Sequence, residues 1–212
     1  MMRAPMKNFA ARLPNKAIEN KYRFTRVYLK NSWRDPETRS GPGSVRGSGC
    51  VVSAIEALEL AVRDFGVQTI GDVACGDFNW MPEFLPNHPD IHYHGYDVVD
   101  LIVADNTKRF PYIPFSVLDV SKHPPGKFDL ILCKDLFNHL RFADVQNALQ
   151  NIKKSGSTYL LASNNFGCLN EELARPIAGM SRMLDITRAP LNYPQPIWRT
   201  HYLGLWRLAD FP

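Results

Sequence analysis

The chain has 212 residues, is 45% hydrophobic and carries a net charge of +4. That length suits one domain with one sizeable core, and no apolar run is long enough to span a bilayer. The basic N-terminus lacks the apolar stretch of a secretory signal, and Cys50, Cys75, Cys133 and Cys168 are widely spaced with no CxxC pair, which argues for free thiols in a reducing cytoplasm over a zinc site or a disulfide framework.

The charge is uneven. Residues 1–46 hold eleven Lys/Arg against three Asp/Glu, a balance of +8, and residues 47–212 hold fourteen against eighteen, a balance of −4. The chain therefore divides into a basic arm and loop over 1–49 and a folded domain over 50–212. Such an arm attracts anionic partners or simply keeps the chain soluble.

Residues 1 to about 20 show no structural pattern. Asn20 to Lys30 interleaves aromatic and basic residues (Tyr22, Arg23, Phe24, Arg26, Tyr28), which fits a short amphipathic helix packed on the domain better than a stacking surface for nucleic acid. Asn31 to Gly49 is rich in Gly, Pro and Ser and reads as a long loop, either a lid or a linker. If it is a lid, Ser40 to Arg46 closes over the ligand, and Arg46 is placed to meet an anionic group.

Cys50 to Phe65 has helical periodicity through Val51, Ile55, Leu58, Val62 and Phe65, with Ser48 as N-cap and Gly66 as stop. A first strand follows over Gln68 to Ala74. Trp80 to Leu85 reads as a short helix with Pro82 in its first turn. Ile91 to Val98 is a second strand, Asp100 to Arg109 a short helix and Pro114 to Val120 a third strand. The fourth strand, Phe128 to Cys133, is apolar enough to be buried on both faces. A long helix is expected over Asp135 to Lys154 with Leu136, Leu140, Val145, Leu149 and Ile152 inward. A fifth strand at Thr158 to Ser163, a helix within Leu169 to Met180, a proline-rich loop from Pro190 to Pro196 and a last strand at Tyr202 to Leu208 complete the chain. Strands alternating with helices imply right-handed crossovers and an α/β fold with a mainly parallel sheet.

The chemistry concentrates at strand ends. In QTIGDVACGDFNW an apolar run ends in an acid, small residues and Gly76, where the backbone can approach a ligand closely. Asp72, Asp97 and Asp119 end three successive strands, where open α/β sheets place ligands. A single such acid is more often a cap or turn former. Three in succession suit an adenosine: Asp97 for the ribose hydroxyls, and Asp119 with the Val120 N–H for adenine.

With these motifs the chain resembles the class I S-adenosylmethionine-dependent methyltransferases over about Val67 to Leu208. DVACGDF matches their first motif, YDVV their second-strand acid, LDV their adenine motif, and FDLILCKDLFNHL their fourth strand and the helix after it. The usual glycines are replaced by Ala74 and Phe78. With SGPGS upstream, CGDFNW in the loop and GLWRL near the end, the chain resembles a sparsely characterised bacterial branch. The resemblance implies a Rossmann-like sheet, mainly parallel with an antiparallel C-terminal strand and helices on both faces. It implies S-adenosylmethionine as cofactor, held by Asp72, Ala74, Cys75, Gly76, Asp77, Phe78, Asp97, Val98, Asp119, Val120 and Lys134.

The reaction so implied is direct displacement of a methyl group by an acceptor nucleophile, with an oxygen of a small molecule or sugar as the leading acceptor. A hydroxyl acceptor needs a base. Asp135 and His139, four apart and expected on one helix face, are the candidates. Trp33, Trp80, Tyr193 and Trp198 either line the acceptor pocket or fill the core; Trp206 belongs to the core. A metal is not favoured: Asn164 and Asn165 end the fifth strand, but Asp135 is the single carboxylate beside them, and a hard divalent cation prefers more. A nicotinamide dehydrogenase would carry a fuller GxGxxG than Ala74, Gly76 and Phe78 supply. A nucleic acid or protein as acceptor, or cofactor binding without catalysis, stays open as the alternative. The acceptor and the oligomeric state are not legible.

Overall fold

The computed structural model describes residues 20–173 and 179–212. Seven strands form one sheet: β1 (Thr69–Val73), β2 (His92–Asp97), β3 (Phe115–Val117), β4 (Leu130–Cys133), β5 (Tyr159–Ser163), β6 (Trp198–Arg199) and β7 (Leu203–Arg207). Their order is β3-β2-β1-β4-β5-β7-β6. β1 to β5 run parallel, and β7 pairs antiparallel with both β5 and β6. The mainly parallel sheet is the one the strand pattern implies, and its antiparallel C-terminal strands match the Rossmann-like sheet expected from the resemblance. The two-residue β6 is too short to leave a periodic signal.

Helices α2 (Gly49–Phe65) and α4 (Phe142–Lys154) lie on opposite faces of the sheet. α2 packs Val51, Ala54, Leu58 and Ala61 with Ile70, Leu130 and Leu132. α4 packs Val145, Ala148, Leu149 and Ile152 with Ile131, Cys133, Leu160 and Trp206. All four residues of β4 are buried, as its unbroken apolar run requires. α2 starts where the Ser48 hydroxyl accepts the Val51 N–H at 3.3 Å. It ends at Gly66, whose φ of 65° lies in the left-handed region.

Two further helices shape the site, α1 (Asn20–Lys30) and α3 (Asp100–Arg109). Trp80 to Leu85 forms 3-10 turns rather than a regular helix. The long helix expected from Asp135 begins seven residues later, at Phe142. Asp135 takes a left-handed φ of 55°, which breaks any helix there, and Phe137–His139 makes a 3-10 turn. In the expected helix within Leu169 to Met180, residues 174–178 lie outside the described residues, and those on either side are not helical. The same holds for residues 1–19 of the basic arm. Among the described residues, no helix is long and apolar enough to cross a membrane.

Parallel β1 to β4 deliver their C-terminal ends to one edge. Asp72 lies at the end of β1, Asp97 closes β2, Asp119 follows β3 by two residues, and Lys134 and Asp135 follow β4. β1 and β4 are also where the strand order reverses, and a crevice opens there in such sheets.

Candidate active site

One cavity sits on this edge, about 1000 Å³ including its mouth. Its floor comes from the strand ends: Asp72, Gly76, Asp97, Asp119, Lys134 and Asp135. Its roof comes from the N-terminal region: Phe24 and Tyr28 of α1, then Trp33, Arg39 and Ser44 of the loop. The basic arm thus ends in a helix whose aromatic residues turn partly inward. Arg23 is buried, and its guanidinium donates to the His139 carbonyl at 2.6 Å. Tyr22 and Arg26 stay exposed. Part of the aromatic and basic set that resembled a nucleic-acid surface is therefore spent on the protein's own interior.

The acids differ in their settings. Asp72 is buried and accepts from the Tyr93 hydroxyl at 2.7 Å. Burial pushes its pKa up to about 7, against the opposing effects of the Tyr93 hydrogen bond and the Lys134 ammonium. Asp97 is likewise raised by burial, to about 6, although the Val99 and Gly76 N–H groups donate to it at 2.9 and 3.2 Å. Both carboxylates are short of positive partners. Asp119 accepts from the Ser121 hydroxyl at 2.6 Å through Oδ1. Its Oδ2 makes no hydrogen bond among the described residues but pairs with the Lys122 ammonium at 3.5 Å.

Not every residue of the first motif faces the cavity. Ala74, Cys75 and Gly76 line it, as do Val98 and Val120, whereas Asp77 and Phe78 do not. The Asp77 carboxylate is taken up by the loop: Thr38 Oγ1 donates at 2.8 Å, the Arg39 N–H at 2.7 Å and Ser40 Oγ at 2.7 Å. Phe78 takes a φ of 56°, so the backbone follows a glycine-like path. Its ring packs among Tyr93, Phe110 and Phe115 with centroids 4.8–5.3 Å apart.

The loop from 31 to 48 is tied down along its length. The Lys134 ammonium donates to the Gly43 carbonyl at 2.6 Å and pairs with Asp135 at 2.8 Å. Asn79 donates to Glu37 at 2.6 Å and to the Ser44 carbonyl at 2.9 Å. Arg46 does not reach the cavity; it pairs with Glu37 at 3.1 Å on the surface, and Arg39 is the loop arginine on the cavity wall.

Asp135 and His139 both line the cavity but do not bond to each other. With no helix between them, the expected shared face is lost. Asp135 is fixed by Lys134, by the Tyr202 hydroxyl and by Ser163, whose Oγ also accepts the Asp135 N–H at 2.8 Å. His139 Nδ1 lies 2.8 Å from the Met180 carbonyl. A carbonyl only accepts, so Nδ1 carries the proton and the neutral ring keeps its lone pair on Nε2. Burial lowers the His139 pKa, outweighing the Met180 hydrogen bond and the Asp135 charge. The ring lies beside Trp33 at 5.4 Å and edge-on to Phe24 at 6.3 Å.

Trp33 and Trp80 line the cavity, whereas Tyr193 is buried against Phe211 and Trp198 forms β6. Asn164 donates to Asp185 and accepts the Ile186 N–H, and Asn165 Oδ1 accepts the Leu184 N–H. Sequence reasoning missed the Asp77 clamp, the Met180 carbonyl and Arg39. None leaves a local signal, because each depends on a contact across the fold.

Residues 72–155 match the family model of a methyltransferase domain. No curated protein matches the chain. Among solved structures, human N-acetylserotonin methyltransferase in complex with SAM superposes with a TM-score of 0.64 at 14% identity, covering 90% of this chain and 60% of that one. TnmH gives 0.55 at 14% identity, covering 73% and 52%. These likenesses are of fold, and the chain spans between half and three fifths of the two relatives' lengths.

Proposed function

We propose that this chain is an S-adenosylmethionine-dependent methyltransferase acting on a hydroxyl oxygen of a small molecule. The observation that carries the reading is the gathering of Asp72, Asp97 and Asp119 around one cavity that also holds a neutral-tautomer histidine. The methyltransferase-domain match over 72–155 spans all of these residues. A structural relative named for N-acetylserotonin and solved with SAM supports a small acceptor.

The residues fit the cofactor. Asp119 and Asp97 both line the cavity, and they offer carboxylates to an amino group and to ribose hydroxyls respectively. Asp72, whose pKa burial raises to about 7, gives a counter-charge when it ionises against an ammonium. Ala74, Cys75, Gly76, Val98 and Val120 supply the walls, and Lys134 holds the loop over them. Bound there, S-adenosylmethionine supplies an electrophilic methyl group.

The chain's own contribution is placement and proton removal. Fixing two reactants in line is worth roughly 7–11 kcal/mol of barrier, and α1 with its loop roofs the cavity. His139, protonated at Nδ1 by its bond to Met180, presents Nε2 as the base for an acceptor hydroxyl. Asp135 holds Lys134 and Tyr202 rather than orienting the imidazole. The test is calorimetry with S-adenosylmethionine and its demethylated product, followed by an acceptor screen read by product mass. Absence of binding would overturn the reading. Methylation confined to nucleic acid or protein would replace the acceptor class.

A further inference from the structure

The cofactor cavity is rich in acid. Asp72, Asp97, Asp119 and Asp135 line it, against two cations, Lys134 and Arg39. Lys134 is committed to the protein: its buried ammonium donates to the Gly43 carbonyl at 2.6 Å and pairs with Asp135 at 2.8 Å. Arg39 is not. Its backbone N–H is bonded, but among the described residues its guanidinium makes no hydrogen bond and no ion pair.

The Arg39 backbone is nevertheless fixed at three successive residues. Its N–H donates to the Asp77 carboxylate at 2.7 Å, and the Thr38 and Ser40 hydroxyls on either side donate to the same carboxylate at 2.8 and 2.7 Å. Asp77 is buried and does not line the cavity, so its oxygens serve the loop and leave the guanidinium to other partners. The Arg39 charge is felt on the roof. Burial raises the pKa of the Tyr28 hydroxyl, Asp105 and Asp77 add to the rise, and Arg39 and Arg109 oppose it. Tyr28 lines the cavity; Arg109 does not, and pairs with Asp105 at 3.4 Å. Arg39 is thus an exposed residue of the cavity rim, held in place through its backbone and carrying an unpaired fork of donors.

S-adenosylmethionine carries a sulfonium, an ammonium and a carboxylate. The acids at the strand ends suit its two cations, but they repel its carboxylate. An anion among four acids needs a cation whose charge is not already balanced, and a guanidinium meets the two oxygens of a carboxylate with two parallel N–H donors. We propose that Arg39 binds the carboxylate of the cofactor's methionine portion, so that the loop above the cavity is part of the cofactor site along with the strand ends. The inference rests on the methyltransferase reading and adds to it the residue that selects a cofactor bearing an amino acid.

The experiment titrates the full chain with S-adenosylhomocysteine and with its decarboxylated analogue, which keeps the adenosine, the thioether and the ammonium. The wild-type protein should prefer S-adenosylhomocysteine by about tenfold, the low end for hydrogen bonds to a charged group because the rim is exposed. Arg39→Ala should weaken S-adenosylhomocysteine by about tenfold and leave the analogue nearly unchanged. Arg39→Lys keeps the charge, loses the fork and should fall between the two. Raising chloride should narrow the wild-type preference and not that of Arg39→Ala; this measurement serves alone if the variants do not fold. Equal losses for both ligands in Arg39→Ala would make Arg39 a structural part of the loop and overturn the proposal. So would a variant with wild-type affinities, or a wild-type protein that binds both ligands equally at every chloride concentration. Each of those results leaves the methyltransferase reading standing. A wild-type protein that binds neither ligand sinks that reading, and this inference with it.

Discussion

The Ser40 hydroxyl occupies the place where a side chain on Gly76 would begin: a Cβ built there would lie 2.1 Å from Ser40 Oγ. The same hydroxyl accepts the Asp77 N–H at 3.0 Å and donates to the Asp77 carboxylate at 2.7 Å. The loop above the cavity and the first-motif turn below it thus interlock, and Gly76 makes that closeness achievable.

Gly76→Ala tests the interlock, with Gly47→Ala as its control. Both glycines have left-handed φ, 55° and 68°, but a Cβ at Gly47 would meet nothing within 4 Å. Each variant bears the backbone strain, of order 1–3 kcal/mol, and only Gly76→Ala must also push Ser40 away. Denaturant midpoints should fall in both. Proteolysis within residues 38–46 should speed up in Gly76→Ala alone, and S-adenosylmethionine affinity should drop with it. Equal proteolysis in the two variants would show that the contact does not hold the loop.

Asp97→Ala removes the carboxylate assigned to the ribose. The expected loss of S-adenosylmethionine affinity is about 1.5–3 kcal/mol, the range for hydrogen bonds to a charged group. The Gly76 and Val99 N–H groups lose their acceptor at the same time, so the fold is checked by circular dichroism before calorimetry. Unchanged affinity would remove Asp97 from the cofactor site.

Much of this site was legible because parallel strands write their ends into sequence. Asp72, Asp97 and Asp119 each follow an apolar run, and the sheet brings run-ends to one edge. Phe78 was legible as a departure from glycine, though not its positive φ. Asp135 was misread because an apolar pattern at helical spacing continues through Leu136 and Leu140, and only the φ of 55° at Asp135 delays the helix to Phe142. The partners of Asp77 and His139 lie 37–39 and 41 residues away, beyond any local pattern. Arg46 was expected at the ligand, but it pairs with Glu37 through a turn that the sequence does not specify, and Arg39 lies on the cavity wall instead.

Proton release should accompany cofactor binding. Asp72 and Asp97 have pKa values raised to about 7 and about 6 in the folded, cofactor-free protein, whereas an unfolded aspartate titrates near 4. Between those values the folded state keeps protons that the unfolded state has released, so stability falls as pH rises through about 4 to 7. A cationic ligand favours the ionised carboxylates and expels those protons. S-adenosylmethionine should therefore bind more tightly as pH rises from about 5.5 to 7.5. Titrations near pH 6 in two buffers of different ionisation enthalpy should both register proton release. A binding constant independent of pH over that window would contradict the assignment of these acids to the cofactor.

His139→Ala addresses the proton of the acceptor. Burial already holds the imidazole below its ordinary pKa, so the ring is neutral at pH 7 with Nε2 free to accept. Once an acceptor is found, the single-turnover rate should rise with pH and level off with its base limb below about 6.5. His139→Ala should lower that rate by about 10²–10⁴-fold and abolish the limb. Cofactor affinity should hold, since the acids at the other strand ends carry it. Asp135→Asn should behave differently. It removes a partner of Lys134, which holds the Gly43 carbonyl of the loop, so cofactor affinity should weaken while the limb survives, moved if anything downward because the Asp135 charge raises the His139 pKa. A His139→Ala protein with wild-type rate and pH profile would leave His139 as the packing partner of Trp33 and Phe24, and the acceptor would then be a nucleophile that needs no base.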